Sequence, residues 1–228
     1  MLPIGSVVTL QHELNRQKVE LESHLPHEAL LAIYQSIGDL IASNQALEAI
    51  QAGDLAPAFL LPDSDGNPVS SLELLKNGPL VVTFFRGLWC PSCNLELKAL
   101  ETALEDYRSR DASLVAISQQ TGLNSQNTRR ENGLTFPILQ DNAGEVAASF
   151  GVRWAIPEDL RQVYRQVGAN LADLNGEASW TLPMPARYVI GQDGVVAYAE
   201  INPDFTQRPE PDDVLPVLDA LKAAYASA

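Results

Sequence analysis

The apolar positions of the chain follow two different periods along its length. In the N-terminal part they recur every three or four residues, as in the apolar stripe of Leu30, Ile33, Ile37 and Ile41, and this spacing predicts amphipathic helices. Further along, short apolar runs alternate with helical stretches, which is typical of an α/β fold. We therefore predict an N-terminal helical extension over residues 1–53, followed by one α/β domain over residues 54–228.

Two largely apolar runs, residues 81–85 and 114–117, have the character of strands buried on both faces. The segment between them has helical periodicity, and a crossover of this length implies that the two strands pair in parallel. Runs at 186–190 and 195–201 flank a tight turn and predict an antiparallel hairpin. Shorter strands are predicted at 58–61 and 136–139.

Residues 152–182 have no strong period, and we interpret them as an insertion in the domain. A stretch of this length between regular elements more often acts as a functional or lid-like segment than as a simple connector. Its aromatic side chains, Trp154, Tyr164 and Trp180, are expected to anchor the insertion to the domain rather than to bind a ligand.

The sequence contains only two cysteines, Cys90 and Cys93, and they lie where strand 81–85 gives way to the next helix. Unpaired backbone N–H groups and the helix dipole at such a junction favour the thiolate form of Cys90. Pro91 suits the first helical position because it has no N–H to leave unpaired. Cys93, one turn deeper, is expected to be the less exposed sulfur.

A redox role for this pair competes with two simpler interpretations. A zinc site needs about four ligands, usually Cys or His, and the histidines all lie far upstream. Two buried spectator cysteines are the second alternative, since a free Cys packs as a small apolar side chain. The neighbouring Trp89 and Pro91 at a strand-to-helix junction favour redox chemistry.

Charge and composition narrow the range of partners. The formal net charge of −14 disfavours nucleic acid and anionic lipid as partners. Met1–Ser6 lack the basic start of a secretion signal, and no apolar run reaches the length of a membrane span. We expect a cytoplasmic protein, a compartment in which paired cysteines are more often catalytic than structural.

Three segments carry a resemblance to a known family: residues 53–59, 85–97 and 182–186. Together they resemble the CxxC-type, peroxiredoxin-like branch of the alkyl hydroperoxide reductase and thiol-specific antioxidant family, over about residues 53–225. The resemblance implies a thioredoxin-like fold, a central mixed sheet flanked by helices, with the N-terminal helices as an extension. These helices are expected to pack on their own domain or on a second subunit in a homodimer.

The resemblance also implies roles for individual residues. Cys90 would be the peroxidatic cysteine, and Cys93 would resolve it as a Cys90–Cys93 disulfide. Pro185 would be a cis-proline that faces the sulfurs. Arg86, Trp89 and Pro91 would complete the surroundings of the site, although Arg86 is equally compatible with a surface ion pair and Trp89 with a simple cover over the disulfide.

Two positions depart from the family pattern. Typical members place Pro seven residues and Thr or Ser three residues before the peroxidatic cysteine, and this chain has Thr83 and Gly87 there. The family arginine near the hairpin would fall at about Pro185. Arg86 or Arg187 could supply the missing positive charge from another direction.

These observations support three hypotheses about function. The first is a peroxidase that reduces hydrogen peroxide or organic hydroperoxides without metal or organic cofactor and is regenerated by thioredoxin or glutathione. The second is a thiol–disulfide oxidoreductase that acts on protein disulfides. The third is a non-enzymatic redox sensor in which the disulfide switches the insertion or an oligomer contact.

Overall fold

The computed structural model describes residues 8–226, so the expectation about Met1–Ser6 lies outside the described residues. The strands are short, and several coincide with the apolar runs of the sequence. They are β1 (Leu60–Pro62), β2 (Pro68–Ser70), β3 (Leu80–Phe84), β4 (Ser113–Ser118), β5 (Ile138–Gln140), β6 (Arg153–Ala155), β7 (Thr181–Pro183), β8 (Ala186–Ile190) and β9 (Val196–Ile201).

The helices differ widely in length, and the three longest are α1, α2 and α5. They are α1 (Leu10–His24), α2 (His27–Ala42), α3 (Gln45–Glu48), α4 (Ser71–Leu75), α5 (Pro91–Arg108), α6 (Gly122–Asn132), α7 (Glu145–Ser149), α8 (Glu158–Gln166), α9 (Leu171–Asn175) and α10 (Leu215–Ala226). A 3-10 turn over Pro211–Val214 leads into α10. Among residues 8–226, no helix is both long enough and apolar enough to cross a bilayer.

A five-stranded mixed sheet in the order β5-β4-β3-β8-β9 forms the centre of the fold. Strand β3 pairs in parallel with β4, and β4 pairs in parallel with β5. On its other side β3 pairs antiparallel with β8, which continues into the predicted hairpin with β9. The parallel crossover and the mixed thioredoxin-like sheet expected from the sequence are both confirmed.

Strand β3 has every residue buried because helices and loops cover both faces of the sheet. Successive side chains of a strand point to opposite faces. Val82 and Phe84 accordingly join one apolar cluster, whereas Val81 packs in another with Leu97 and Leu100 of α5. The same cluster contains both cysteines, so the sulfurs lie at the junction between the sheet and its principal helix.

The N-terminal helices pack against the rest of the chain. Ile33 of α2 shares an apolar cluster with Leu160 and Val163 of α8, in the segment predicted as an insertion. Helix α1 lies against α5, and the backbone amides of Leu10 and Gln11 both donate to the carboxylate of Glu210 at 2.9 Å. Helix α2 thus contacts the segment predicted as an insertion, and the start of α1 contacts the C-terminal segment. The domain boundary near residue 53 stays a prediction.

Two predicted strands are shifted in the structure. The first strand begins at Leu60 rather than at residue 58, because the amide of Phe59 donates to the side chain of Ser71 at 2.9 Å and not to a strand partner. The strand predicted at 136–139 occupies Ile138–Gln140 instead, since Pro137 has no N–H to contribute to the ladder.

Candidate active site

The two cysteines occupy the start of α5, as the sequence predicted. Cys90 is the cap residue, Pro91 is the first helical residue, and Cys93 lies one turn further along. The Cys93 thiol donates to the sulfur of Cys90, with 2.7 Å between the two Sγ atoms. Both thiols are free, and at this separation they can bond without rearrangement of the backbone.

Both sulfurs are covered by the surrounding structure. Cys90 is 2% exposed and Cys93 is 0% exposed, so the expected order of exposure is confirmed. The difference is nevertheless small. A reactant must therefore approach Cys90 through a cavity rather than across an open surface.

The surroundings of Cys90 favour its thiolate. Burial is the largest single influence and raises the pKa of Cys90. It is outweighed by the hydrogen bond from the Cys93 thiol, by the charges of Arg86 and Arg208 and by the Cys93 backbone amide, which together lower the pKa to about 6. Burial and the hydrogen bond to Cys90 raise the pKa of Cys93. One sulfur is thus an anion near neutral pH, and the other keeps its proton.

Arg86 is a buried cation, only 3% exposed. Its guanidinium carbon lies 4.7 Å from the ring centre of Trp89 and 4.0 Å from that of Phe205, and Nη2 donates to the hydroxyl of Tyr164. Among the described residues no carboxylate pairs with it, and its Nε has no hydrogen-bond partner. The surface ion-pair interpretation of Arg86 is therefore wrong, and its charge is available to anions beside Cys90.

A second cation, Arg208, was not identified from the sequence. Its Nη2 lies 3.7 Å from Sγ of Cys93, and its Nε donates to Glu96 of α5 at 2.7 Å. Arg187 donates to the other oxygen of the same carboxylate at 2.8 Å. Arg187 is thus paired with Glu96 and, contrary to one expectation, contributes to the site only through that buried carboxylate. All three side chains of this ionic network are 2% exposed or less.

Pro185 does not have the predicted conformation. Residues 8–226 contain no cis peptide bond, so the bond that precedes Pro185 is trans. The trans form of an X–Pro bond is favoured by about 0.5–1 kcal/mol, and no turn lies between β7 and β8 that would require the shorter cis spacing. Pro185 lines a small separate cavity with Arg86 and Tyr164 rather than the one that reaches Cys90.

The surroundings of Gly87 explain why this position has no Thr or Ser hydroxyl. Its φ is +145°, a conformation that other L-residues rarely adopt. A Cβ atom built at this position would lie 2.8 Å from Nε1 of Trp89 and 3.0 Å from Cδ1. The backbone conformation and the indole ring thus both exclude a threonine or serine side chain here.

A cavity of about 240 Å³ opens onto Cys90. Its walls are largely apolar and come from α1, α2 and α8; the apolar wall residues include Leu21, Leu25, Ile33, Val163 and Val167. Arg86, Trp89 and Tyr164 line the same cavity, so Tyr164, which was expected only to anchor residues 152–182, also faces the space at Cys90. The sequence pattern of α1 and α2 contained no sign of this role.

The pH dependence of Cys90 alkylation tests these electrostatics. Because the thiolate is the reactive form, we expect the iodoacetamide rate to rise as pH rises through about 6 and to level off above neutrality. Arg86→Met should move the midpoint upward, since it removes a cation that favours the thiolate. Arg86→Lys keeps a positive charge and should leave the midpoint close to the parent value. A parent midpoint at the ordinary value of a free thiol would contradict the assignment.

Comparisons with known proteins place the chain in a family. Residues 52–199 match the AhpC/TSA family. A chloroplastic peroxiredoxin Q of Sedum lineare is 26% identical over 182 residues, which are 80% of this chain and 85% of that protein. A putative peroxiredoxin of Mycobacterium tuberculosis is 34% identical over 99 residues, 43% of this chain and 62% of that protein.

Solved structures of other proteins share the fold of this chain. Peroxidoxin BcpB of Mycobacterium tuberculosis superposes with a TM-score of 0.59 at 23% identity, covering 76% of this chain and 97% of that one. A Cys-to-Ser mutant of PrxQ from Xylella fastidiosa gives a TM-score of 0.57 at 17% identity, covering 77% of this chain and 98% of that one.

The five-stranded mixed sheet, with Cys90 and Cys93 at the start of its principal helix, has the arrangement of a thioredoxin-like fold. The chain belongs to the AhpC/TSA family of thioredoxin-like peroxiredoxins. Membership of this family supports a role as a peroxidase, which is a kind of oxidoreductase.

Proposed function

We propose that this protein is a thiol peroxidase in which Cys90 attacks the peroxide and Cys93 resolves the oxidised product. The observation that carries this proposal is the sulfur pair itself: a buried thiolate at the end of a cavity, with a protonated thiol 2.7 Å away. The thiolate provides the nucleophile, and the neighbouring thiol is within bonding reach of the oxidised sulfur.

The proposed chemistry has two steps before regeneration. The Cys90 thiolate forms a bond with the terminal peroxide oxygen, the O–O bond breaks, and the other oxygen leaves and takes a proton from solvent. The Cys93 sulfur then attacks the sulfur of this sulfenic acid, so that the S–S bond forms and the S–O bond breaks. The departing hydroxide combines with the proton lost by the Cys93 thiol and leaves as water. An external dithiol such as thioredoxin, or glutathione, then reduces the Cys90–Cys93 disulfide and is itself oxidised.

Single-turnover mixing with peroxide tests the proposal. We expect the reduced protein to consume one equivalent of cumene hydroperoxide far faster than free cysteine does, and to lose both thiols as an intramolecular disulfide that peptide mass spectrometry assigns to Cys90 and Cys93. Consumption no faster than by free cysteine at the same pH would refute the proposed function.

The cavity walls favour substrates with an apolar organic part. Because Leu21, Ile33 and Val163 present hydrocarbon to the space above Cys90, an alkyl or aryl hydroperoxide gains apolar contacts there that hydrogen peroxide cannot make. We therefore propose organic hydroperoxides as the preferred substrates.

Filling the cavity should separate the two kinds of peroxide. Leu21→Trp is expected to lower kcat/KM for cumene hydroperoxide by about tenfold, while the value for hydrogen peroxide changes by less than about twofold. Leu31→Trp makes the same exchange at an exposed position of α2 and serves as the matched control. An equal loss for both peroxides in Leu21→Trp would argue against substrate binding in this cavity.

A thiol–disulfide oxidoreductase is the second candidate, favoured by the Trp-Cys-Pro-Ser-Cys sequence at residues 89–93. Its weakness is that both sulfurs are covered, which hinders attack on a protein disulfide. Insulin reduction with dithiol as electron source distinguishes the two. Rapid insulin turnover combined with slow peroxide consumption would favour this candidate over the peroxidase.

A further inference from the structure

Arg208 is a buried cation in contact with the sulfur of Cys93. Its Nη2 atom donates to Sγ across 3.7 Å, and its side chain is only 2% exposed. Because little water reaches this depth to screen the charge, a cation here acts strongly on a sulfur that ionises beside it. Cys93 is the sulfur that must ionise to form the disulfide, so the contact lies at a reacting atom of that step.

The guanidinium of Arg208 is held in place before that step begins. Nε donates to the carboxylate of Glu96 at 2.7 Å, and Nη1 donates to the carbonyl of Gln207 at 2.8 Å. The backbone amide of Arg208 in turn donates to the side chain of Gln11 on α1 at 3.2 Å. Nη2 is the nitrogen at Cys93. A donor fixed in this way need not reorganise when charge develops on the sulfur.

The charges around Cys93 change when Cys90 is oxidised. In the reduced pair, burial, the hydrogen bond to Cys90 and the negative charge of Cys90 all raise the pKa of Cys93, whereas Arg208 and Arg86 lower it. A sulfenic acid at Cys90 carries no charge, so the hydrogen bond to a thiolate and the repulsion from it are both removed. Burial then remains as the influence that keeps the proton on Cys93, and Arg208, in direct contact with the sulfur, opposes it.

We propose that Arg208 is a catalytic residue of the disulfide-forming step, in which Nη2–H donates to the Cys93 sulfur while that sulfur loses its proton. This inference rests on the proposed peroxidase function. The ionising Cys93 sulfur attacks the sulfur of the Cys90 sulfenic acid, so that the S–S bond forms and the S–O bond breaks. The departing hydroxide takes up the proton that Cys93 has lost and leaves as water. Arg208 keeps all of its protons and stabilises the thiolate.

Arg208→Gln removes the cation with little disturbance of the buried network. The amide nitrogen of glutamine occupies the same place along the side chain as Nε of arginine, so it can keep the hydrogen bond to Glu96 while the charge and Nη2 are lost. Arg129→Gln is the matched control. It makes the same exchange at an arginine of α6 that pairs with Asp65 and is not among the groups that act on Cys93.

The first measurement is a pH titration of the thiolate by its ultraviolet absorbance in a Cys90→Ser background. Cys93 is then the only thiol of the chain, and its neighbour is uncharged, as it is after oxidation. Since an adjacent cation lowers the pKa of an acid by about 1–3 units, Arg208→Gln should raise the midpoint by about that amount, and Arg129→Gln should leave it unchanged. An unmoved midpoint in Arg208→Gln would overturn the inference.

The second measurement follows disulfide formation after mixing with one equivalent of cumene hydroperoxide at a pH well above 6. Each unit by which the pKa of Cys93 rises lowers its thiolate population about tenfold, and the greater nucleophilicity of the more basic sulfur recovers about threefold. Disulfide formation in Arg208→Gln should therefore be about 3- to 30-fold slower than in the parent. Peroxide loss should change much less, because Cys90 is still ionised at that pH.

Three results would count against this assignment. Disulfide formation at the parent rate in Arg208→Gln would overturn it, and so would an equal slowing in Arg129→Gln, which would reflect net charge alone. A parent protein that reacts with peroxide no faster than free cysteine would instead refute the peroxidase function on which the inference rests. The absorbance titration needs no peroxide, so it distinguishes failure of the Arg208 contact from failure of that function.

Discussion

Replacing Cys90 by serine should abolish peroxide reduction, with a fall of roughly 10³-fold or more in the rate of peroxide consumption. The reason is that Cys90 is the only sulfur of the pair that the structure holds as a thiolate: the Cys93 thiol, Arg86 and Arg208 lower its pKa, whereas burial keeps Cys93 protonated. A serine hydroxyl at the same place is not ionised near neutral pH and cannot replace it. Stopped-flow measurement of peroxide loss gives the rate directly.

Cys93→Ser is the matched control for this experiment. It leaves the attacking sulfur in place, so it should still consume one equivalent of peroxide rapidly and then stop, because no intramolecular disulfide can form. A Cys90→Ser variant that consumes peroxide as fast as the parent would show that the nucleophile lies elsewhere. Comparable slow rates in both single variants would show that the two sulfurs do not have the separate roles assigned to them.

Glu96→Gln is expected to be the most destabilising conservative change near the site. Glu96 is 2% exposed. Its carboxylate accepts hydrogen bonds from Arg187 at 2.8 Å and from Arg208 at 2.7 Å. Removal of one partner from a buried ionic network leaves uncompensated charge, and the cost is about 3–5 kcal/mol in the free energy of unfolding. Urea denaturation of the reduced protein measures this loss.

Glu105→Gln provides the comparison for that loss. It neutralises a glutamate on the same helix whose side chain is 86% exposed, and exposed charges of this kind contribute about 0–1 kcal/mol. If Glu96→Gln were as stable as Glu105→Gln, the buried network would not be a structural support of Arg208. Loss of stability in Glu96→Gln together with slower formation of the Cys90–Cys93 disulfide would link the network to Cys93 as well.

The core of the fold could be predicted from the sequence because its signals are local. The apolar run of β3, the periodicity of α5 and Pro91 at the first helical position each reflect constraints within a few residues. These constraints also place Cys90 and Cys93 at the helix start. Each strand shift has a cause at one residue. The amide of Phe59 donates to the side chain of Ser71 instead of a strand partner, and Pro137 has no N–H to donate.

The rest of the site depends on contacts between distant parts of the chain. Arg208 reaches Cys93 across 115 positions of sequence, and Tyr164 meets Arg86 across 78. No local pattern marks either residue. Glu96 could have been suspected, since it follows Cys93 by three positions and so faces the same buried side of α5. Its two arginine partners come from the hairpin and from the segment after it.

The N-terminal helices illustrate the same limit. The prediction that this region is helical is confirmed by α1 and α2, and Ile33 is buried as expected, but Ile41, expected in the same apolar stripe of α2, is 56% exposed. Periodicity indicates that a face is apolar without indicating what covers it. Here the faces of α1 and α2 contribute to a cavity wall above Cys90, and this function emerges only when the chain is assembled.

Mass spectrometry of the Cys93→Ser protein, quenched at successive times after mixing with one equivalent of cumene hydroperoxide, tests the central claim most directly. The account predicts one added oxygen on Cys90, trapped as a sulfenic acid by a dimedone-type reagent, and appearing at the rate at which peroxide is lost. Peroxide loss without oxygen on Cys90, or oxidation confined to other residues, would contradict it.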